Sequence, residues 1–440
     1  MSFSSNIKTY KTYSSGSSPD SSNESYYSDV EESYFDFKGE YLNNEYIILK
    51  KIGSGMFSTV WLTYSTKKNE YFAIKIQNDE DYDEGIFEIS LLQNIKNKNS
   101  KYINNLKEYF IVEKQDSEYV CMVFDLLSCD VYNIIKKGKY KNGLPIKTVK
   151  NITIQILLAL SQLHTENKIV HGDIKPENLL LKGKNKKSED IINQFNSMNF
   201  NKIIKKYKKK RTKYNIKSIV QKCVKKLEYS SSESDIDRYN SDSDEKNYIE
   251  NKKYNNDSSI DDKYINNIHV KLTDFGSSIK LSDINNKEIQ TRYYRAPEVI
   301  IKYNYNEKVD IWSLGCLIFE LLTGEILFDP KKTRELNRDR IHIKQIYETI
   351  DKLPSQMINL CERNKVFFKR NGLLKGINNL KCNSLNSILI NKFKDTISSN
   401  EIKLMSTFLY KLLTINPENR PSASECLLDP WIKDQLNECI

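Results

Sequence analysis

The sequence predicts an α+β protein with two lobes, a small β-rich N-terminal lobe and a larger, mainly helical C-terminal lobe. Strand-like apolar stretches come first, at residues 46–49, 60–62 and 71–74. Helical spacing follows, with apolar residues at every third or fourth position in 84–95 and 147–163. Strands that precede helices in separate runs are typical of an α+β domain.

Composition and length exclude several classes of protein. The 440 residues allow roughly three domains by the soft prior of ~150 residues each. Residues 1–20 contain no apolar signal region, and the longest apolar run, 311–322, is shorter than the ~20 residues of a membrane span. The eight cysteines show no paired spacing, so we expect neither disulfides nor a zinc site. The sequence therefore predicts an intracellular protein with no membrane partner.

Two polar tracts interrupt the apolar pattern. Residues 1–40 are rich in Ser and Tyr, and residues 183–266 form a second tract. The second tract is basic and free of acids at 201–226, then acidic and Ser-rich at 228–262. Such stretches bury too little apolar area to offset the entropy of ordering, so we predict disorder in both, apart from a short helix near 216–227.

The ordered remainder is two blocks, 41–182 and 267–434, which we interpret as one domain split by the insert. The first block contains a glycine turn between two strands, Gly53-Ser54-Gly55. Its backbone N–H groups could fold over phosphates, since glycine lets a ligand approach closely. Most such turns are only turns, and this one lacks the Gly-Lys-Ser/Thr of a Walker A loop. The candidate nucleotide-binding residues here are Ile52, Gly53, Ser54, Gly55, Met56, Phe57, Ser58, Thr59 and Val60.

A lysine ends the following strand, in Phe72-Ala73-Ile74-Lys75, and Glu88 lies on the next predicted helix. An ion pair between Lys75 and Glu88 would aim the ammonium group at bound phosphates. The alternative is that Lys75 is a solvated charge with no special partner.

The string from His171 to Asn178, His-Gly-Asp-Ile-Lys-Pro-Glu-Asn, makes a plain polar loop improbable. Asp173 can accept the proton of an incoming hydroxyl, and Lys175 can neutralise a transferring phosphoryl group. Asn178 can hold a metal ion. Asp274, which begins an Asp-Phe-Gly string, is a natural second magnesium ligand, because Mg²⁺ prefers carboxylate and amide oxygens together with phosphate.

Taken in order with the Ala-Pro-Glu string that ends at Glu298, these motifs resemble the signature set of the protein kinases. The resemblance spans roughly 300 residues, the size of a kinase domain. It implies the bilobal protein-kinase fold and transfer of the ATP γ-phosphate to a protein substrate with Mg²⁺. Lys175 is the serine/threonine form of its position. The resemblance also implies an adenine site under Ala73 and Val60, against a hinge at Asp125 and Leu127.

The closest likeness is to one subfamily. The string at 291–298, Thr-Arg-Tyr-Tyr-Arg-Ala-Pro-Glu, resembles the group that holds the cyclin-dependent, MAP and SR-protein kinases. The strings at 57–62, 121–124 and 289–292 look most like the SR-protein kinases, which split their domain with a polar spacer. This resemblance implies Ser/Thr protein substrates, with Arg-Ser-rich proteins as candidates. We interpret Asp310, Glu298 and Arg420 as structural rather than catalytic residues.

Two departures from the general kinase pattern, both shared by the SR-protein kinases, and one departure from that subfamily itself bear on function. Ser58 replaces the third loop glycine, and Gly172 replaces the arginine that receives an activation-loop phosphate in many kinases. Where the subfamily has an acidic Arg-Asp-Glu-Asp-His run, this chain has Arg-Asp-Arg-Ile-His at residues 338–342, although Glu348 is kept. We therefore expect activity without activation-loop phosphorylation, and poor retention of Arg-rich peptides in a docking groove.

Two alternatives remain open from the sequence. A pseudokinase scaffold would bind without catalysis, although every residue of the phosphoryl-transfer set is present. A nucleic-acid-associated protein would use the basic run 205–213, which also fits a solvated linker or a nuclear-import signal. Our interpretation is a monomeric kinase of the cytoplasm or nucleus that does not act on nucleic acid.

Overall fold

The computed structural model of the chain describes nine segments, and the folded unit begins at Phe37. The segments are residues 35–55, 57–96, 100–136, 139–209, 215–227, 262–284, 288–333, 336–377 and 379–439. Within them, no helix combines the length and apolar character that crossing a membrane requires.

The N-terminal lobe is built on a six-stranded antiparallel sheet in the order β1-β2-β3-β4-β6-β5. The strands are β1 Tyr41–Leu42, β2 Tyr46–Ser54, β3 Ser58–Ser65, β4 Glu70–Gln77, β5 Glu108–Lys114 and β6 Ser117–Asp125. The register pairs Val60 with Lys75, and Leu62 with Ala73. Because paired residues point to the same side of a sheet, these four side chains share the face below the glycine turn.

The helices cover the sheet and form the C-terminal lobe. Those outside the insert are α1 Tyr82–Lys96, α2 Val131–Lys136, α3 Ile146–Gln162, α8 Pro297–Ile301, α9 Val309–Thr323, α10 Arg338–Thr349, α11 Ser355–Leu360, α12 Asn364–Phe367, α13 Leu385–Phe393, α14 Ser399–Leu412, α15 Ala423–Cys426 and α16 Pro430–Cys439. Every residue of α9 is buried, so this helix is the centre of the lobe. Helix α1 approaches the sheet at Gly85, where an added Cβ would lie 3.1 Å from Val120.

Two small antiparallel sheets lie where the lobes meet. They join β7 Ile169–Val170 with β10 Ile279–Lys280, and β8 Leu179–Leu181 with β9 Val270–Leu272. The second pairing carries the chain from the catalytic string to the Asp-Phe-Gly string, although about ninety residues separate the two in sequence. The short strands therefore fix the distance between the two halves of the site.

The prediction of a disordered insert is wrong for residues 186–209 and 215–227. Three helices form there, and a fourth precedes β9: α4 Lys186–Ser197, α5 Phe200–Lys209, α6 Ile216–Val224 and α7 Asp262–Asn266. The expected short helix near 216–227 is confirmed as α6. Residues 228–261 lie outside the described part of the chain. The insert is polar on average, but the few apolar residues in its helices recur at helical spacing. That spacing is sufficient to bury one face of each helix.

The insert helices α4 to α6 pack on the N-terminal lobe. Their buried residues contact Ile47, Leu49, Leu62 and Tyr64, and the hinge residue Leu126 packs at the margin of the same cluster. These insert residues are Ile191, Ile192, Phe195, Phe200, Ile219, Val220, Cys223, Val224 and Leu227. The cluster therefore occupies the end of the sheet that is remote from the glycine turn.

The predicted boundaries of the tail and insert also change. The tail prediction ended at residue 40, but Phe37 is already buried, and its ring packs edge-on to Tyr119 at 5.2 Å. Residues 1–34 lie outside the described part of the chain. At the base of the insert, the Lys182 N–H donates to the carbonyl of His269 at 2.9 Å. The two blocks on either side of the insert are thus joined by backbone hydrogen bonding into one domain.

Candidate active site

The predicted site residues meet in the groove between the sheet and the helical lobe. Lys75 is the centre of the upper group. Its Nζ lies 2.7 Å from Oε2 of Glu88 and 2.9 Å from Oδ1 of Asp274. The Phe275 N–H also donates to Glu88, at 3.2 Å. A strand, a helix and the Asp-Phe-Gly string are therefore tied together at one ammonium group.

Charge stabilises this group. The ammonium of Lys75 lowers the pKa of Asp274 to about 2. Burial opposes the charge of Lys75, but the carboxylates of Asp274 and Glu88 outweigh it and raise the pKa of Lys75 above its usual range. Lys75 and Asp274 are consequently both ionised near neutral pH, as phosphate and metal binding require.

Asp173 is the centre of the lower group. Its Oδ1 accepts from the hydroxyl of Thr291 at 2.7 Å, and its Oδ2 accepts from the amide of Asn178 at 3.0 Å. Lys175 Nζ lies 2.7 Å from the same Oδ2. Burial alone would lower the pKa of Lys175, but the Asp173 carboxylate raises it. The carboxylate is thus held in one orientation by three side chains, at the edge of the groove.

The backbone below Asp173 is anchored by a buried carboxylate. Asp310 on α9 accepts from the N–H groups of His171 at 2.8 Å and Gly172 at 2.9 Å. Gly172 has φ +77°, and an added Cβ would lie 2.8 Å from the carbonyl oxygen of Ser277. Glycine therefore suits the backbone here, whereas the arginine found in other kinases would have to strain it.

Asn178 and Asp274 are brought to the same end of the β8–β9 pair, where the Thr273 N–H donates to the Asn178 carbonyl at 3.0 Å. The Asn178 amide nitrogen is bonded to Asp173, so its Oδ1 is the atom that could bind a cation. Among the described residues, no three His, Cys, Asp or Glu side chains are grouped so that they could hold a metal ion by themselves. One carboxylate and one amide, completed by phosphate oxygens and water, fit Mg²⁺.

The glycine turn provides an open cradle. A Cβ built on Gly53 would meet nothing nearer than 3.6 Å, and one on Gly55 nothing nearer than 4.0 Å. Ile52 and Phe57 are exposed beside it, and Ser54 ends β2. Met56 lies outside the described residues. A phosphate could therefore approach the backbone from below the turn.

The other loop residues belong to β3. Ser58 and Thr59 are buried, and the Trp61 indole donates to the Thr59 hydroxyl at 2.9 Å. These two residues can therefore offer a nucleotide their backbone more readily than their side chains. Val60 is half-buried on the face that also carries Lys75.

The predicted hinge follows β6. Ala73 pairs with Phe124, which places both beside the hinge, and Leu127 is buried. The Asp125 carboxylate is engaged by Lys107 at 3.0 Å and Lys271 at 3.6 Å. Two lysines therefore compensate the charge of Asp125.

Two residues important to the site were missed from the sequence. Thr291 holds Asp173, and Gln290 anchors the segment that follows. Gln290 has φ +71°, and its buried amide bonds to Val309, Ser313 and Ala296 at 2.7–3.0 Å. Residue spacing carries no sign of these contacts. The only sign of their importance in the sequence is their position in the strings at 289–292 and 291–298, which carry the resemblance to the kinases.

Glu298 and Arg420, two of the residues interpreted as structural from the sequence, form a buried ion pair. Arg420 donates to Glu298 through two bonds of 2.7 and 3.0 Å, and both side chains are fully buried. The Arg420 guanidinium also lies 5.1 Å from the Trp312 ring centre. This pair fixes α8, which ends the segment beginning at Asp274, against the core of the helical lobe.

Comparison with known proteins adds independent information. The family model described as "Protein kinase domain" matches residues 46–193 and 191–432. The chain is 32% identical to "Putative serine/threonine-protein kinase L205" of Acanthamoeba polyphaga mimivirus, covering 90% of this chain and 88% of the relative. It is 31% identical to "Serine/threonine-protein kinase SRPK" of Physarum polycephalum, with coverage of 90% and 88%. It is 26% identical to human "SRSF protein kinase 3", with coverage of 90% and 87%.

Proposed function

This chain belongs to the protein kinase family, and from that premise we propose that its interlobe groove transfers the ATP γ-phosphate to serines in Arg-Ser-rich proteins. It is a serine/threonine protein kinase of the SR-protein-kinase type.

Asp173 accepts the proton of the substrate hydroxyl, while Thr291 and Asn178 hold its carboxylate in position. Lys175 supplies positive charge beside the transferring phosphoryl group. Lys75, aligned by Glu88, holds the non-transferring phosphates below the glycine turn. Mg²⁺, when bound by Asp274 and Asn178, would neutralise phosphate charge. The chain itself contributes positioning and electrostatic stabilisation, and no covalent step.

An acidic cluster beside the catalytic string supports a basic neighbour for the target serine. Oε2 of Glu177 is buried and has no hydrogen-bond partner among the described residues. Burial raises the pKa of Glu177, and the nearby carboxylates of Glu320 and Asp130 add to the effect. A buried acceptor without a donor is costly. Glu177 as a whole is only half-buried, so we propose that a substrate guanidinium reaches its carboxylate and supplies the donors. This observation carries the substrate proposal.

The more distant surface of α10 offers less to an arginine. Asp339 is already paired with Arg292 at 2.6 Å and with Arg363 at 2.8 Å. Glu348 accepts from the Lys381 N–H at 2.7 Å, and Arg340 adds positive charge to the same helix. We therefore propose that selection depends on the cluster at Glu177 rather than on a groove along α10.

A peptide comparison tests this proposal. An Arg-Ser repeat peptide should be phosphorylated with kcat/KM roughly 10–150-fold above that of an Ala-Ser repeat, because a charge-assisted bond contributes ~1.5–3 kcal/mol. Glu177→Gln should remove most of that preference, whereas the control Glu348→Gln should retain it. Equal kcat/KM for the two peptides would refute the substrate class. A loss of preference only in Glu348→Gln would instead assign selection to α10.

We also expect activity without activation-loop phosphorylation. Gly172 stands in place of the arginine that usually receives such a phosphate. Gln290 holds the segment through the hydrogen bonds of its side-chain amide. Protein made in bacteria and treated with phosphatase should therefore retain its rate on a good substrate. The check is a parallel assay of treated and untreated protein, with mass spectrometry of residues 274–298. Loss of most activity together with a phosphate from that range would contradict the expectation.

A further inference from the structure

The basic half of the insert presents a fixed positive surface. Helices α5 and α6 bury their apolar sides and turn their lysines to solvent. All seven lysines with described side chains in residues 201–227 are exposed. We call them the insert lysines: Lys202, Lys205, Lys206, Lys217, Lys222, Lys225 and Lys226. Within the described part of the chain, none of their ammonium groups lies within 4 Å of a carboxylate. Packing on the lobe thus holds like charges together without compensation.

This arrangement has an energetic consequence. Residues 201–226 contain twelve lysines and arginines and no acid, so the local potential is strongly positive. Ordering α5 and α6 fixes these charges instead of letting them move apart, and mutual repulsion opposes the packing. An anionic partner would relieve that repulsion. We therefore expect the insert lysines to bind an anionic partner of similar size and opposite charge.

We propose that the insert lysines bind the acidic half of the same insert, residues 228–262. That stretch contains eleven acids and four basic residues, a net charge of about −7 against +12 for residues 201–226. It starts directly after Leu227, the buried residue that follows α6, and it returns to the fold at α7. Connection within one chain gives such a segment a local concentration in the mM range, far above that of a separate partner. Charge and connectivity point to the same occupant.

Lysine footprinting on the full chain tests the proposal. Exposed lysines are acetylated by a limiting reagent, and the modified fraction at each is measured by mass spectrometry. The comparison protein carries neutral amides in the acidic half, at Glu233→Gln, Asp235→Asn, Asp237→Asn, Asp242→Asn, Asp244→Asn and Glu245→Gln. The insert lysines should react about threefold faster in it, as expected for a surface covered about two thirds of the time.

The controls are exposed lysines on the helical lobe, at Lys394, Lys403 and Lys433, whose rates should not differ between the two proteins. About 0.5 M salt should raise the wild-type rates to those of the comparison protein, because exposed charges are then screened. Equal rates for the insert lysines in both proteins would overturn the proposal. Protection that grows with protein concentration would assign the surface to a second copy. Protection of the wild-type lysines by added single-stranded RNA at physiological salt would assign it to nucleic acid.

Discussion

Replacing Asp173 with alanine should lower kcat by about 10²–10⁴-fold while ATP affinity stays within a few fold, because a general base acts on the incoming hydroxyl and not on the nucleotide. The structure adds a second reason. Thr291 and Asn178 each donate a hydrogen bond to this carboxylate, and both donors lose that acceptor in the alanine variant. Peptide phosphorylation rates and calorimetric ATP binding, measured on the same preparation, check both halves of the expectation.

Asp283→Ala is the matched control for this variant, because Asp283 is an exposed carboxylate of the segment that begins at Asp274. Its rate should equal that of the wild type. Lys75→Met should also lose activity, but through misplaced phosphates, so its ATP affinity should fall where that of Asp173→Ala does not. Near wild-type turnover in purified Asp173→Ala would remove this residue from the mechanism.

Removing residues 186–227, with a short Gly-Ser linker in their place, should destabilise the protein by roughly 3–6 kcal/mol. The deletion exposes Ile47, Leu49, Leu62 and Tyr64, and burial of one such side chain contributes ~1.5–3 kcal/mol, partly offset by the entropy of ordering the insert. Thermal unfolding followed by circular dichroism measures the loss. For a domain of this size we expect a Tm lower by about 10 °C.

A second deletion separates packing from simple shortening of the chain. Replacing only residues 228–261 with a linker keeps the buried face and should leave Tm within a few degrees, because closure entropy changes slowly with loop length. Phe195→Asp, which places a charge at a buried position of α4, should reproduce much of the larger loss. An unchanged Tm after removal of 186–227 would mean that the insert helices contribute nothing to stability.

The sequence predicted which residues lie together at the site better where they are close in the chain than where they are distant. Asp173, Lys175 and Asn178 lie within six residues, so one local string places all three. The contact between Lys75 and Asp274 spans 199 positions, and it was not predicted from the sequence, where Lys75 was paired only with Glu88. The contact of Thr291 with Asp173 depends on the path of the segment between Asp274 and Glu298, which no local pattern encodes.

The prediction of disorder in the insert was wrong because it depended on the average composition of the whole segment. Residues 183–266 are polar as a whole, yet Phe195 and Phe200 stack at 5.7 Å, and Phe195 also contacts Tyr64 of β3. A few apolar residues at the right spacing suffice when a partner surface already exists. The partner surface consists of Leu62 and its neighbours. The sequence of the sheet alone does not show that further helices cover these residues.

The hydrogen bond between Lys182 and His269 has a consequence for the integrity of the polypeptide. A single proteolytic cut between Leu227 and Asp262 would divide the active site, leaving Asp173 on one fragment and Asp274 on the other. The pairing of β8 with β9 and the ion pair of Lys75 with Asp274 would still join the two fragments. The insert is therefore the place where this enzyme could be split into two complementing chains.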